Sequence, residues 1–131
     1  EIINVCPSFY DWPDRWKGVE ADRAYGKEIL QYFEPYVANL CNSTLTARTK
    51  KKHLDNLWLA GGELVRTVSV EEDYGIDPLQ LILKNFGADG GPYCRHLETE
   101  EELRSYDSSC RKFHKFIKQN MEEQAGRGQP L

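Results

Sequence analysis

Between Leu45 and Leu57 the chain reads Leu-Thr-Ala-Arg-Thr-Lys-Lys-Lys-His-Leu-Asp-Asn-Leu. Its first half is the densest cationic stretch in a protein of formal net charge −4. The start of a helix attracts anions, because its first backbone N–H groups are unpaired and lie at the positive end of the dipole. Basic side chains in that turn add charge-assisted hydrogen bonds to phosphate. Thr46, Arg48, Thr49, Lys50, Lys51 and Lys52 therefore predict a phosphate-facing helix start, with DNA as the expected partner. Three lysines at the positive end of a helix are unfavourable by roughly tenths of a kcal/mol, and an anionic partner would relieve that cost. The competing reading is a solvated basic turn.

Other residue types with chemical capacity point less far. Cys94, His96, Cys110 and His114 have zinc-ligand atoms, but one residue between Cys94 and His96 is tighter than zinc-knuckle spacing. Cys110 also falls on an apolar stripe, where a buried thiol is ordinary. Neither Gly-x-Ser-x-Gly nor His-Glu-x-x-His occurs, and His53, His96 and His114 sit in no catalytic spacing. The acidic triplets Glu71-Glu72-Asp73 and Glu100-Glu101-Glu102 read as a solvated loop and a helix start. The glycine-rich segment Gly87 to Pro92 lacks the preceding strand and following Gly-Lys-Ser/Thr of a phosphate-cradling loop. No catalytic residue, metal or cofactor is expected.

The elements that must position the basic residues follow from the hydrophobic pattern. A length of 131 residues with 40% hydrophobic content argues for one domain with a core. Charge is segregated along it: residues 1–42 carry net −3, residues 43–66 net +3, residues 67–109 net −7 and residues 110–131 net +3. A fold that joins the two basic segments would have a bipolar surface. No apolar run approaches the roughly 20 residues of a membrane helix. Residues 1–5 carry no signal-peptide pattern, and the four dispersed cysteines read as reduced thiols, so a cytoplasmic protein is expected.

The pattern predicts an all-α, single-domain bundle of about four helices (20–121), an irregular aromatic N-terminal arm (1–19) and a flexible tail (122–131). Pro7, Pro13 and Gly18 preclude a long helix in the arm, and Phe9, Tyr10, Trp12 and Trp16 imply that it wraps onto the domain. Tyr25, Ile29, Tyr32, Phe33, Tyr36, Val37 and Leu40 recur at helical spacing over residues 20–40, with Pro35 expected to kink or split the helix near Phe33. Thr46 is the expected N-cap of a helix over 47–69 with Leu54, Leu57, Trp58, Gly61, Val65 and Val68 as its stripe. Gly61-Gly62 predicts a close helix crossing, a kink or a dimer seam. Asp77-Pro78 caps a short helix over 78–86. The last helix spans 98–121, with Leu103, Tyr106, Cys110, Phe113, Ile117 and Met121 facing inward and Arg111, Lys112, Lys115 and Lys118 facing out.

Leu45-Thr46-x-x-Thr49-x-x-x-His53-x-x-x-Leu57 resembles the Leu-Ser-x-x-Thr-x-x-x-Tyr-x-x-x-Leu pattern of the core-binding, SAM-like domain of tyrosine recombinases (phage integrases). Phe33-x-x-Tyr36-Val37 is similar to the end of that domain's first helix. Ser105-x-x-Ser108-x-x-Arg111-x-Phe113-His114-x-Phe116-Ile117 is similar to its last helix. The resemblance covers roughly residues 28–120. It implies a four-helix bundle clamping one side of a duplex, with Thr46, Arg48, Thr49, Lys50 and Lys52 on the DNA and Arg111, Lys112 and Lys115 as a second contact. His53 departs from the family's tyrosine. No counterpart of the family's catalytic domain occurs in these residues, so strand cleavage is not expected. The alternative is a protein-interaction module, an adaptor or inhibitor from a bacterial or mobile-element setting, which would use the acidic surface and the aromatic arm.

Overall fold

In the computed structural model, which describes residues 1–127, six α-helices follow one another with no named strand among the described residues. They are α1 (Ile2–Val5), α2 (Trp12–Trp16), α3 (Glu20–Cys41), α4 (Ala47–Glu71), α5 (Pro78–Asn85) and α6 (Glu100–Arg127), with a 3₁₀ turn over Phe9–Asp11. The all-helical class is as expected. The count is higher than four because the arm, expected to be irregular, contains α1, the 3₁₀ turn and α2. Each stays short because a proline or glycine closes it, which is what the sequence rule allows.

Helix α3 runs 22 residues unsplit through Pro35, where the sequence predicts a kink or a split. Pro35 is exposed, as is Gln31, whose carbonyl loses its partner to the proline, so water can satisfy it. Its N-terminus is fastened by Asp22. One carboxylate oxygen accepts from the amides of Gly18 and Val19 at 2.8 and 3.1 Å, and the other from the Tyr74 hydroxyl at 2.6 Å. A single buried carboxylate thus ties together the end of the arm, the start of α3 and the loop after α4. Burial alone would raise its pKa, but the hydrogen bonds from Tyr74, Gly18, Val19 and Ser69 prevail and hold it below the usual carboxylate value.

Helix α4 starts as expected, with Thr46 Oγ1 accepting from the Thr49 amide at 3.1 Å. It packs on α3 and α6 and buries Leu54, Leu57, Ala60, Leu64, Val65 and Val68. Trp58, expected in that stripe, is exposed instead. Asp77 caps α5 through the Gln80 amide. Thr99 and Glu102 form a reciprocal box at the start of α6: Thr99 Oγ1 accepts from the Glu102 amide at 3.0 Å, and Glu102 accepts from the Glu98 and Thr99 amides. On α6, Tyr106, Cys110, Phe113 and Ile117 are buried, whereas Leu103 and Met121 face solvent. The helix continues beyond Met121 to Arg127, past the expected start of the tail; residues 128–131 lie outside the described residues.

The core is aromatic. Phe113 lies at its centre with Phe33, Tyr36 and Phe86 at centroid distances of 5.1, 5.3 and 4.9 Å, all edge-on. A row of rings continues outward from Phe33 through Trp16 and Trp12 to Phe9, which fixes the arm to the bundle. The Gly61-Gly62 pair serves this row. Two helices approach there through their rings: the Trp16 indole of α2 fills the notch, where a Cβ on Gly61 would lie 2.3 Å from Trp16 Cζ2, and Phe33 of α3 would lie 3.0 Å from the same Cβ. Gly62 is looser, since its Cβ would meet Trp16 Cδ1 at 3.3 Å. The indole N–H donates to the Trp58 carbonyl at 3.0 Å, an additional bond onto α4.

The two glycines are therefore expected to behave differently. Gly61→Ala should destabilise the protein by about 1–3 kcal/mol, because the added methyl overpacks the notch and displaces the arm. Gly62→Ala should be near neutral, the helix-propensity gain of about 1 kcal/mol offsetting a mild contact. Urea unfolding of both variants checks this; equal effects would contradict the docking of Trp16.

Candidate nucleic-acid interface

The register between α4 and α6 decides which basic residues meet. Four polar side chains set it. Asn56 Nδ2 donates to the Ser105 carbonyl at 3.1 Å and to Ser109 Oγ at 2.8 Å, and His53 Nδ1 lies 2.7 Å from the same Ser109 oxygen. With Asn56 donating to Ser109, the serine hydroxyl is left to donate to a neutral His53 ring. His53 reaches Ser109, whereas Asn56, one turn later on α4, also reaches back to Ser105, one turn earlier on α6, so the two helices run antiparallel. The start of α4 consequently lies beside the second half of α6, and the two basic segments come to the same end of the molecule.

His53 reports that meeting. Its ring is buried, and its pKa falls to about 4, first because burial disfavours the charged form and then because Lys52 and Lys112 both repel a third positive charge. Lys52 is next to His53 in sequence, and Lys112 lies one turn beyond Ser109, the α6 residue that His53 contacts. Among the described residues neither lysine is in an ion pair, nor are Arg48, Arg111 and Lys115, and all five are exposed.

The other expected contact residues have internal employment. Lys50 is half-buried, and its Nζ donates to the Cys41 carbonyl at 2.8 Å, satisfying the C-terminal end of α3. It is a helix-capping residue rather than a free cation. Thr46 caps the amide of Thr49, and the two hydroxyls bond each other at 3.0 Å. The helix start is therefore partly satisfied from within, which weakens the reading of free amides facing a phosphate. Lys51 pairs with Asp55 at 2.8 Å, both well exposed. Such a surface pair is weak and opens readily to a competing anion.

The cysteines and histidines with metal-ligand chemistry are not gathered into one cluster: among the described residues no three His, Cys, Asp or Glu side chains are grouped to hold a metal. The four thiols are free, and burial pushes Cys110 up to about 12, far from a nucleophile's range; the neighbouring Tyr106 hydroxyl donates to the Pro92 carbonyl at 2.7 Å. Gly90 and Gly91 account for part of the glycine-rich loop's composition: Gly90 has φ 145° and a Cβ there would lie 2.6 Å from Asp107 Oδ1, and a Cβ on Gly91 would lie 2.5 Å from Cys110 Sγ, so both let the loop lie close on α6. No helix of the described residues is long and apolar enough to cross a membrane.

Sequence reasoning did not reach the Asn56–Ser109–His53 seam. Its only trace is two polar pairs on otherwise apolar helix faces, His53 and Asn56 at i, i+3 on α4 and Ser105 and Ser109 at i, i+4 on α6. No family model, curated protein or solved structure matches the chain.

The imidazole gives a pH dependence of known sign. The unfolded ring binds a proton near pH 6.5, while the folded ring refuses it until about pH 4. Its contribution is therefore complete above pH 6.5 and is lost as pH falls to 4, by up to about 3 kcal/mol. Asp22, held low, adds a loss only at still lower pH. Urea denaturation of wild type and His53→Gln at pH 7 and pH 4.5 is expected to show a smaller pH effect in the variant. An undiminished effect would mean the ring is not the titrating group.

Proposed function

We propose that the protein is a non-enzymatic DNA-binding module whose contact surface is the shared basic end of α4 and α6. The observation that carries this reading is the His53–Ser109 contact at 2.7 Å, which brings Lys52, beside His53 on α4, and Lys112, one turn beyond Ser109 on α6, to the same seam although they are 60 positions apart in sequence. Arg48, Arg111 and Lys115 extend the same exposed cationic ends. Two elements presenting cations across a seam can track a phosphate backbone, where each neutralised phosphate releases counterions. The surface differs from the one expected from sequence: the α4 capping residues Thr46, Thr49 and Lys50 drop to supporting roles, and the free side chains of both helices become primary. The pattern shared with recombinase core-binding domains, a bundle of about four helices against one side of a duplex, is consistent with this geometry. The acidic balance elsewhere restricts binding to one end.

A second reading has its own observation. At the opposite end of α6, Tyr93 is 85% exposed and Leu103 48% exposed, and they border a groove with Leu97 that is edged by Glu98, Glu100 and Asp107. An apolar groove with an acidic rim suits a basic protein partner better than a nucleic acid.

Fluorescence anisotropy with a labelled random duplex at several salt concentrations separates the two. Wild type is expected to bind with steep salt dependence. Lys52→Ala/Lys112→Ala should lower affinity at least tenfold at low salt and reduce the log–log salt slope by about two. Lys84→Ala, at an exposed position of α5, should change neither. No binding at low salt, or binding indifferent to the double variant, contradicts the DNA reading and favours the groove.

A further inference from the structure

A second feature lies on α4 away from its basic start. Trp58, Gly62 and Arg66, one turn apart in succession, line one side of an open cleft of about 160 Å³. Arg15 and Trp16 of the arm line another side, and Arg95 from the loop before α6 a third. Three segments far apart in sequence therefore bring three guanidinium groups to one small hollow. The one carboxylate there, Glu63, is buried and already engaged: it accepts from the Arg95 amide at 3.4 Å and lies 3.8 Å from the Arg95 guanidinium. Three cations against one anion leave two positive charges over. Arg15 and Arg66 are in no ion pair among the described residues.

The walls add a second selectivity. Trp58 has left the apolar stripe of α4 and shows its ring to solvent at the cleft, although its neighbours in that stripe are buried. Trp16 forms the floor, with its N–H already bonded to the Trp58 carbonyl, so the floor offers ring carbon and no spare donor. An exposed indole beside guanidinium groups is a stacking platform for a planar ring that carries an anion. Arginine, unlike lysine, presents paired donors that match phosphate oxygens. The volume sets the size: a cavity of about 150 Å³ accommodates one benzene-sized ring, so the hollow has room for a phosphate group, while an attached base would lie outside it against the exposed face of Trp58.

We propose that this cleft is a nucleoside-phosphate site, in which Arg15, Arg66 and Arg95 bind the phosphate and Trp58 stacks on the base. The site is independent of the cationic end around Lys52 and Lys112. Its ligand is either a free mononucleotide or the 5′-phosphorylated end of a strand, which share the chemistry.

Titration calorimetry tests it with deoxyadenosine 5′-monophosphate, deoxyadenosine, inorganic phosphate and a tetradeoxynucleotide with and without its 5′-phosphate. The monophosphate is expected to bind at least tenfold more tightly than the nucleoside or phosphate alone. Arg66→Gln and Trp58→Ala should each weaken it at least tenfold, while Lys52→Ala/Lys112→Ala leaves it unchanged. Arg66 is exposed, so its variant should fold, as far-UV circular dichroism would verify; Arg15→Gln is a second variant of the same kind. Tighter binding of the phosphorylated tetranucleotide than of the monophosphate assigns the site to strand ends, and the reverse order assigns it to free nucleotide; either supports the site. Absence of saturable binding, equal affinity for nucleoside and nucleotide, or indifference to both arginine variants overturns it.

Discussion

The structure depends on the buried polar seam between α4 and α6. Apolar residues alone would let two long helices slide by a turn at modest cost, because Leu, Val and Ala stripes are interchangeable along their length. His53, Asn56, Ser105 and Ser109 remove that freedom: a shifted register would leave an amide, a hydroxyl and an imidazole buried without partners, at about 1–3 kcal/mol for each. The seam does not stabilise the bundle so much as choose one arrangement of it. That arrangement sets the start of α4 against the second half of α6, and the two basic segments against each other. The low pKa of His53 follows from the same choice, since the helices enclose the ring and Lys52 and Lys112 repel its charged form.

The arm solves a second positioning problem. A short helix of five residues cannot hold its own place, so α2 is anchored by what it inserts. Trp16 enters the notch at Gly61, Pro13 packs against Gly26 of α3, and Asp22 receives the amides that follow. Three fixings at consecutive turns make the arm part of the bundle. They also carry Arg15 to the mouth of the cleft that Arg66 and Arg95 share.

Much of this was legible in the sequence. The helices expected over 47–69 and 98–121, the Thr46 and Asp77 caps and most core positions follow from spacing and capping chemistry, which are local; the run of α6 on to Arg127 does not. What was not legible is non-local. Pro35 suggested a kink or a split because a sequence does not say that its freed carbonyl faces water. Gly61-Gly62 announced a close approach but not its occupant, since an indole 45 positions away leaves no mark on the glycines. Trp58, Leu103 and Met121 satisfy the helical period yet lie at the edges of their stripes, where tertiary packing rather than period decides burial. The basic residues of α4 were identifiable as charge, but Lys50 was separable from Lys52 only once the Cys41 carbonyl lay within its reach.

The account turns on one surface, and backbone amide NMR of the labelled protein during titration with a short duplex reports on it most directly. The expected result is a set of shift changes confined to residues 48–53 of α4 and 108–116 of α6, progressive with DNA and reversed by added salt. Changes centred instead on the Tyr93–Leu103 groove, or none at low salt, would contradict it.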